Sequence, residues 1–450
     1  MSGKKARARK KKRERRDANA ANTANAGEAF PRLPNHLVVT HVLRSEYFDD
    51  PADLARLPAV SRAMRAAVAE TGLRLKELDE KRAVELGCVS AVQRMQRQGR
   101  LSRQELLCQA AARSGQLEEL KVLRADGWPW DRDTCSAAAL GGHLEVLQWA
   151  RANGCPWDIR TCHKAAEGGH LKVLLWARKN GCPCDENELH IAALNGQVAM
   201  VRALIESGAD VNKAGDGDAT PLYAAAQKGH EAVVRALMEL GADVNKATDD
   251  GVTPLFIAAH QGHEAIVRAL IEADADVNES EDDGLSPLFI AAHQGHEMVV
   301  RALIELGAAD VNKAKDTGCT PLYIAAEKGH EAIVRALMEL GADVNKATDF
   351  GATPLSIAAH QGHVTVVRAL IQAGADVNQA RDDGGTPLYI AAELGQEAVV
   401  RTLIELGAAD VNKATDNGWT PLSIAAQEGH TAIVQILRDA VLVQMQHLSL

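Results

Sequence analysis

Cysteine and histidine side chains recur in the first half of the chain at regular spacings, the kind of pattern from which a zinc site can be built. Two cysteine series share the same constant step, namely Cys108, Cys135 and Cys162 in one and Cys155 and Cys182 in the other, with His143 and His170 nearby. Residues one step apart take equivalent places on successive structural units, roughly 8 to 10 Å apart when helices pack, whereas zinc holds its ligands at about 2 Å. We therefore expect small core residues, with no metal and no cofactor.

Two shorter motifs also fall short of a metal site. Cys182-Pro183-Cys184 is a local thiol pair that lacks two further ligands. His260-Gln261-Gly262-His263 recurs at 293–296 and 360–363 and resembles a pair of ligands at helical spacing, but Gly262 interrupts the helix. The second His of each set belongs to a repeated Gly-His turn, so we expect it to serve that turn.

No set of residues that the repeat motifs leave unexplained is a candidate for catalysis. The segment from Asp274 begins like a calcium-binding loop, but Glu279 stands where Gly is needed and Leu285 stands where Glu is needed. The sequence contains no Gly-rich phosphate cradle, no nucleophile elbow and no Ser/His/Asp set that the repeats leave unexplained. We therefore expect a protein that is not an enzyme.

The element that must position these residues is a sequence repeat, whose period of about 33 residues is typical of solenoids. Its Thr-Pro-Leu or Ser-Pro-Leu motif begins at Thr220, Thr253, Ser286, Thr320, Thr353, Thr386 and Thr420. In the second copy Thr253 caps a helix that begins at Pro254, Gly262 ends it, and a second helix with a wide apolar face follows. One helix pair cannot bury that face alone, so neighbouring copies must cover it.

At these residues the sequence resembles the ankyrin repeat family, whose Thr-Pro-Leu-His-x-Ala, Gly-His and Gly-Ala-Asp-Val-Asn signatures it carries at matching offsets. One departure is the His after Pro-Leu, which is replaced in the seven copies by Tyr223, Phe256, Phe289, Tyr323, Ser356, Tyr389 and Ser423. The resemblance implies an all-α repeat solenoid of helix-turn-helix units with projecting β-hairpins in its C-terminal half. It also implies a concave surface, lined by hairpin tips and the starts of first helices, that binds other proteins.

The glycine that ends each first helix shows that the repeats begin before the first Thr-Pro-Leu motif. These glycines are Gly87, Gly115, Gly142, Gly169, Gly196, Gly229, Gly262, Gly295, Gly329, Gly362, Gly395 and Gly429, which predicts twelve units. The steps are about 27 residues up to Gly196 and about 33 residues after it, both within the range of solenoid repeats. The hairpin absorbs the whole difference, so the early units keep both helices and replace the hairpin with a short turn. They resemble short ankyrin-like repeats.

Four regions are predicted along the chain. Residues 1–29 form a disordered basic tail with an Ala/Asn-rich linker, and 30–76 form a small N-terminal helical module. Residues 77–186 contain the short repeats, and 187–450 contain the 33-residue repeats with a C-terminal helical cap.

The N-terminal module resembles the F-box, a helical module that recruits proteins to cullin-based ubiquitin ligases. The residues on which this comparison rests are Leu33, Pro34, Leu54, Leu57 and Val60, with Met64 where that family usually has Trp. The resemblance implies that they bind a cullin-ligase adaptor. The alternative is a plain helical cap, since the first unit of a stack needs cover for its outer face.

Charge is distributed unevenly. The formal net charge is −10, yet residues 1–16 hold ten Lys or Arg and one Glu, a net +9, so the rest of the chain carries −19. The basic segment is either a nuclear import signal or phosphate-binding arm, or a solubilising extension. Because no aromatic residue interleaves these charges, sequence-specific nucleic-acid binding is not expected.

Length and composition suit an intracellular protein of the cytoplasm, the nucleus or both. No apolar run approaches the eighteen or so residues that cross a bilayer, and the N-terminus has no apolar signal region. Most of the eight cysteines lie inside helical repeats instead of a small secreted scaffold, which favours a reducing compartment. No membrane partner is expected.

A column of acidic side chains marks the hairpin tips. Two residues before the turn Gly stand Asp249, Asp282, Asp316, Asp349, Asp382 and Asp416, with Asp216 at the matching place of the unit whose Gly is displaced. One interpretation is ordinary turn chemistry, in which Asp accompanies Gly. The other is an acidic ladder that selects a basic, Lys- or Arg-bearing partner segment. Beside the ladder stand Asp250, Asp283, Asp383 and Asn417, and its candidate apolar anchors are Val252, Leu285, Phe350 and Trp419.

The function predicted from these observations is a monomeric, non-enzymatic scaffold that binds a protein partner through the ladder and its anchors. The alternative is an F-box-type substrate receptor of a cullin-based ubiquitin ligase, whose repeats hold the target.

Overall fold

The computed structural model describes residues 79–185, 187–407 and 409–448. The predicted basic tail and linker (1–29) and the F-box-like module (30–76) lie outside these ranges. The described residues fall into two compact units, and the boundary between the units lies between Asp185 and Glu186. Both units are built from helix pairs, twelve in the described residues.

The first unit contains four helix pairs. These pairs are α1 (Glu80–Glu85) with α2 (Val89–Arg97), α3 (Leu106–Arg113) with α4 (Leu117–Ala125), α5 (Arg132–Gly141) with α6 (Leu144–Ala152), and α7 (Ile159–Glu167) with α8 (Leu171–Lys179). The first helices pack in chain order, α1 on α3, α3 on α5 and α5 on α7, and each also packs on its own second helix.

The second unit contains eight helix pairs. These pairs are α9 (Asn187–Leu194) with α10 (Val198–Glu206), α11 (Pro221–Lys228) with α12 (Glu231–Glu239), α13 (Pro254–Gln261) with α14 (Glu264–Glu272), α15 (Pro287–Gln294) with α16 (Glu297–Glu305), α17 (Pro321–Lys328) with α18 (Glu331–Glu339), α19 (Pro354–Gln361) with α20 (Val364–Gln372), α21 (Pro387–Glu393) with α22 (Glu397–Gly407), and α23 (Pro421–Gln427) with α24 (Thr431–Leu448). First helices form one row and second helices form another, each helix packing on its successor in the row.

Each Thr-Pro-Leu or Ser-Pro-Leu motif starts a first helix. In α13 the Thr253 hydroxyl accepts a hydrogen bond from the Phe256 N–H at 3.1 Å, and Pro254 is the first helical residue. The other six copies show the same cap. Such a cap contributes about 1 kcal/mol. In the first unit, where the motif is absent, Asp131 and Asp158 cap α5 and α7 instead.

The core lies between the two rows of helices. Ala258 and Ala259 on α13 are fully buried, and such small residues let neighbouring first helices approach closely. Ile266, Val267 and Leu270 on α14 are buried from the other side. Burying one such aliphatic side chain contributes about 1.5–3 kcal/mol. Only a neighbouring pair can supply this cover, which confirms the predicted helical repeat stack within each unit.

The hairpins between pairs form as tight turns. No residue in the described ranges belongs to a strand, because the two arms of each hairpin meet over too few residues to form a ladder. Within the same ranges, no helix has both the length and the apolar character needed to span a bilayer.

Candidate functional site

Seven five-residue turns project between helix pairs of the second unit, and we call them the fingers. In each finger the N–H of the first residue donates to the carbonyl oxygen of the fifth at 2.9–3.2 Å. Asp216 falls on the first finger, and every other predicted partner-binding residue falls on the last six. The fingers are residues 215–219, 248–252, 281–285, 315–319, 348–352, 381–385 and 415–419.

Asparagine side chains set the distance between neighbouring fingers at their base. Asn312 Oδ1 accepts the backbone N–H of Asp343, one repeat later, at 2.8 Å, and Asp343 Oδ1 accepts the N–H of Asn345 at 2.9 Å. The same link between repeats is made by Asn212, Asn245, Asn278, Asn345 and Asn378. These bonds give the Asp-Val-Asn signature its role, which is to hold successive fingers in register.

The finger tips are joined directly as well. The backbone N–H of Asp349 donates to the carbonyl oxygen of Thr317 at 3.3 Å, and that of Asp382 donates to Phe350 at 3.2 Å. The N–H of Asp416 reaches the carbonyl of Asp383 at 3.4 Å. These three bonds join the last four fingers along their backbone, so the side chains from residue 315 to residue 419 stand on a braced surface.

The ladder aspartates also have a packing role. A Cβ atom added at Gly351 would lie 2.6 Å from Asp382 Oδ1, so the Asp382 carboxylate sits over the turn of the preceding finger. Gly351 itself has a φ of +74°, in the left-handed region that favours glycine. This position supports the turn-chemistry interpretation of the column. It does not remove the negative charge, because Asp382 remains exposed.

All predicted partner-binding residues from Asp249 to Trp419 are on the surface to some degree. The aspartates and Asn417 are exposed, and Val252 and Leu285 are half-buried. Phe350 is 71% exposed and Trp419 is 40% exposed. An exposed aromatic ring is unfavourable in water unless something covers it, and Phe350 is the most exposed of the four predicted anchors.

Negative charge accumulates along the fingers. A side-chain hydrogen bond with Asp218, followed by the charge of that carboxylate, raises the pKa of Asp249. Burial, followed by the charges of Asp283 and Asp250, raises the pKa of Glu281. Neighbouring carboxylates contribute to both shifts, and a row of such negative charges attracts a cation.

A cleft of about 540 Å³ opens between three consecutive fingers around Phe350. The residues that line it are Thr317, Cys319, Tyr323, Thr348, Phe350, Ala352, Arg381, Asp382 and Asp383. Burial raises the pKa of Tyr323 to about 12, so its phenol is neutral and acts as a hydrogen-bonding group. Arg381 and Asp383 form a close ion pair, with Nη2 and Oδ2 2.7 Å apart. The cleft thus offers an aromatic wall, a phenol and carboxylates.

Arg381, Tyr323 and Cys319 were not identified as site residues by sequence reasoning. Arg381 forms an ion pair with Asp383. Burial alone would raise the pKa of the Asp383 carboxyl. Hydrogen bonds from Gly385 N–H and from Arg381 outweigh burial and lower that pKa. The signal that could have identified Tyr323 is the aromatic residue that replaces His after Pro-Leu in this copy.

The Gly-His turns have a structural role on the opposite end of the helices. His296 Nε2 contacts the carbonyl oxygen of His260 at 3.1 Å, one repeat earlier, and its ring covers Gly262. Equivalent contacts to the preceding repeat are made by His230, His263, His330, His363 and His430. The second His of each His-Gln-Gly-His set therefore serves the repeat interface, as the sequence suggests.

The cysteine series of the first unit lies in its core. Cys108, Cys135, Cys155 and Cys162 are fully buried. Cys155 Sγ donates to the carbonyl oxygen of Asp131 at 3.3 Å, and Cys182 Sγ repeats this contact with Asp158 at 3.4 Å.

In place of fingers, the first unit has short turns held by arginine and tryptophan. The Arg124 guanidinium lies 4.2 Å above the ring of Trp130, and Arg151 lies 4.1 Å above Trp157. Arg151 also donates to the carbonyl oxygen of Cys155. In these two turns the stacked arginine takes the place of the bonds that close a finger in the longer repeats.

A comparison with protein-family models gives two matches. A model described as "Ankyrin repeats (3 copies)" matches residues 134–215, 189–281, 273–348 and 340–415. A model described as "Ankyrin repeat" matches residues 417–444. No curated protein matches the chain.

Proposed function

We propose, on the premise that the chain belongs to the ankyrin repeat family, that it is a non-enzymatic scaffold whose fingers bind a basic segment of a partner protein. Ankyrin repeats generally mediate interaction between proteins. The observation that supports the finer proposal is the braced row of exposed aspartates with the exposed ring of Phe350 in the cleft beside it.

Charge favours a basic partner. The chain after residue 16 carries −19, and the fingers add like carboxylates at close range. Complementary charge steers encounter and selects partners, whereas a buried apolar anchor supplies most of the affinity. The best-fitting segment therefore has several Lys or Arg residues and at least one apolar or aromatic side chain that covers Phe350.

The test begins with affinity capture on the full chain, followed by mass spectrometry and by mapping the bound segment. Changing Asp316, Asp349 and Asp382 together to Asn retains their shape, so each side chain still fills its place over the preceding turn. We expect weaker binding of the captured segment and a flatter dependence on salt. The proposal fails if affinity and salt dependence are unchanged.

A matched control changes three exposed glutamates on second helices, Glu206, Glu305 and Glu405, to Gln. This variant has the same change in net charge as the aspartate variant, but on second helices instead of the fingers. Equal loss of binding in both variants would show a general charge effect instead of a binding surface.

A second candidate function rests on the F-box resemblance of residues 30–76. If this region recruits a cullin-ligase adaptor, the repeats hold the target for ubiquitin transfer. Co-purification of the full chain with an adaptor, lost when Leu54 and Leu57 are changed to Asp, would support this function. Recovery of the finger partner without any adaptor favours the plain scaffold.

Location in the cytoplasm, the nucleus or both is part of the proposal, with the basic segment at residues 4–16 as a nuclear import signal. Imaging of a tagged chain that lacks residues 1–16 tests it. Loss of nuclear signal supports import, and an unchanged distribution supports the solubilising role.

A further inference from the structure

The last short turn of the first unit departs from the two before it. In those two turns the residue after the proline is a tryptophan, Trp130 or Trp157. An arginine one repeat apart in the two turns, Arg124 or Arg151, stacks on that ring. In the last turn the arginine is present as Arg178, but the residue after Pro183 is Cys184. A thiol therefore replaces the ring that the arginine would cover.

The Cys184 thiol in this turn lies beside two other thiols and an arginine. Hydrogen bonds with the thiols of Cys162 and Cys182, followed by the positive charge of Arg178, lower the pKa of Cys184 against the opposing effect of burial. In its neutral form the Cys184 thiol donates to the Cys182 carbonyl oxygen at 3.3 Å. Cys184 is half-buried, so small molecules can reach it. An accessible thiol that ionises readily beside an arginine is the usual target of oxidants.

A second thiol lies next to this one. Cys162 on α7 is fully buried, and its Sγ lies within 4.8 Å of Cys184 Sγ. A disulfide needs the two sulfur atoms at about 2.0 Å. Cys184 is in the non-helical segment that follows α8, where rotation of one side chain and a small backbone shift can close the gap.

We propose that Cys184 and Cys162 are a hydroperoxide-sensitive thiol pair that forms a disulfide between α7 and the segment after α8. The Cys184 thiolate attacks one oxygen of the peroxide, the O–O bond breaks, and the other oxygen leaves with a proton as water or alcohol. Cys184 is then a sulfenic acid. The Cys162 sulfur displaces that oxygen, which leaves as water, and the S–S bond forms. One peroxide molecule accepts the two electrons that the two thiols lose when they form the disulfide.

The test uses the reduced full chain and hydrogen peroxide. After brief oxidation, free thiols are blocked with N-ethylmaleimide and the protein is digested and analysed by mass spectrometry. We expect one linked peptide pair joining Cys162 to Cys184, formed at lower peroxide doses than any oxidation of Cys88 or Cys319, which are also half-buried. Linkage of Cys182 to either thiol instead, or Cys184 oxidised to sulfinic acid without linkage, would overturn the proposal.

Two variants separate chemistry from folding. Cys184→Trp restores the residue found at Trp130 and Trp157, so Arg178 regains a ring to stack on while the thiol is removed. We expect this variant to fold and to lose the linked peptide. Cys319→Ser removes a half-buried thiol elsewhere and should leave the linkage intact. A linkage that persists in Cys184→Trp through Cys162 would also contradict the assignment.

Discussion

The backbone N–H of Asp382 donates to the carbonyl oxygen of Phe350 at 3.2 Å. This bond joins an acidic residue of one finger to the apolar anchor of the finger before it, so charge and aromatic surface are presented together on one braced backbone. Because the fingers are already fixed by such bonds, binding of a partner does not have to order a flexible loop of this protein. Ordering a loop would otherwise be a large cost of association.

The first prediction concerns Phe350. Changing it to Ala should weaken binding of the captured basic segment by about tenfold or more, which corresponds to about 1.4 kcal/mol or more, because an apolar anchor is lost. The midpoint of urea unfolding should not change, since the ring is 71% exposed. The measurement is the Kd by calorimetry. The control is Met298→Ala, which removes a side chain that is 50% exposed on α16; equal losses for both would argue against the cleft.

The second prediction concerns the packing of aspartate over glycine. Gly351→Ala and Gly374→Ala both place a side chain at positive φ, which costs about 1–2 kcal/mol. A Cβ at Gly374 meets nothing within 4 Å, whereas one at Gly351 meets Asp382 Oδ1 at 2.6 Å. Gly351→Ala should therefore lower the free energy of urea unfolding by about 1 kcal/mol more than Gly374→Ala does. The same Cβ also meets the Asp382 backbone nitrogen at 2.9 Å, so equal effects would show that the finger carrying Asp382 shifts freely to make room.

The third prediction concerns the histidine that bridges repeats. His296→Ala should lower the free energy of unfolding by about 1–3 kcal/mol, because the carbonyl oxygen of His260 loses its partner and Gly262 loses its cover. His296→Gln should lose much less, since Gln396 already occupies the equivalent place and reaches the carbonyl of His360 at 3.4 Å. Urea unfolding followed by circular dichroism measures both. If His296→Gln lowers the free energy of unfolding as much as His296→Ala does, the hydrogen bond between repeats is not the cause of the loss.

The fourth prediction is a pH dependence in the first unit. Burial lowers the pKa of His143 from its ordinary value of 6.5; its hydrogen bond to the Arg113 carbonyl opposes this, and the charges of His170 and Arg113 add to it. The unfolded chain therefore takes up a proton before the folded chain does. Above pH 6.5 His143 is neutral in both states and the free energy of unfolding keeps its full value. As the pH falls below 6.5 toward the lower pKa of the folded state, only the unfolded chain is protonated, so the free energy of unfolding decreases.

Tryptophan fluorescence measures this effect, because five of the six tryptophans lie in the first unit. Urea unfolding at several values between pH 7.5 and 5.5 should show falling stability, by about 1.4 kcal/mol for each pKa unit that separates the two states. His143→Gln should flatten this dependence. An equal pH slope in the variant would assign the effect to other groups.

Much of this architecture follows from the sequence alone. The period of the Thr-Pro-Leu motif predicts the repeat, and Thr253, Pro254 and Gly262 show where a first helix begins and ends. These features are local, because caps, prolines and helix-ending glycines act within a few residues along the chain. The ankyrin family matches and the helix pairs confirm that prediction.

The positions of the acidic residues and of Phe350 at finger tips also follow from the sequence, because each tip is a turn around a glycine. What only the tertiary structure decides is which side chains of different repeats meet. The cleft around Phe350 includes Arg381 and Tyr323, and Cys162 lies beside Cys184, although the two thiols do not occupy equivalent repeat positions. Spacing along the chain identifies equivalent positions in successive repeats, but contacts between non-equivalent positions depend on how one helix pair is rotated and shifted against the next. That geometry is set by packing over the whole interface, and no single motif encodes it.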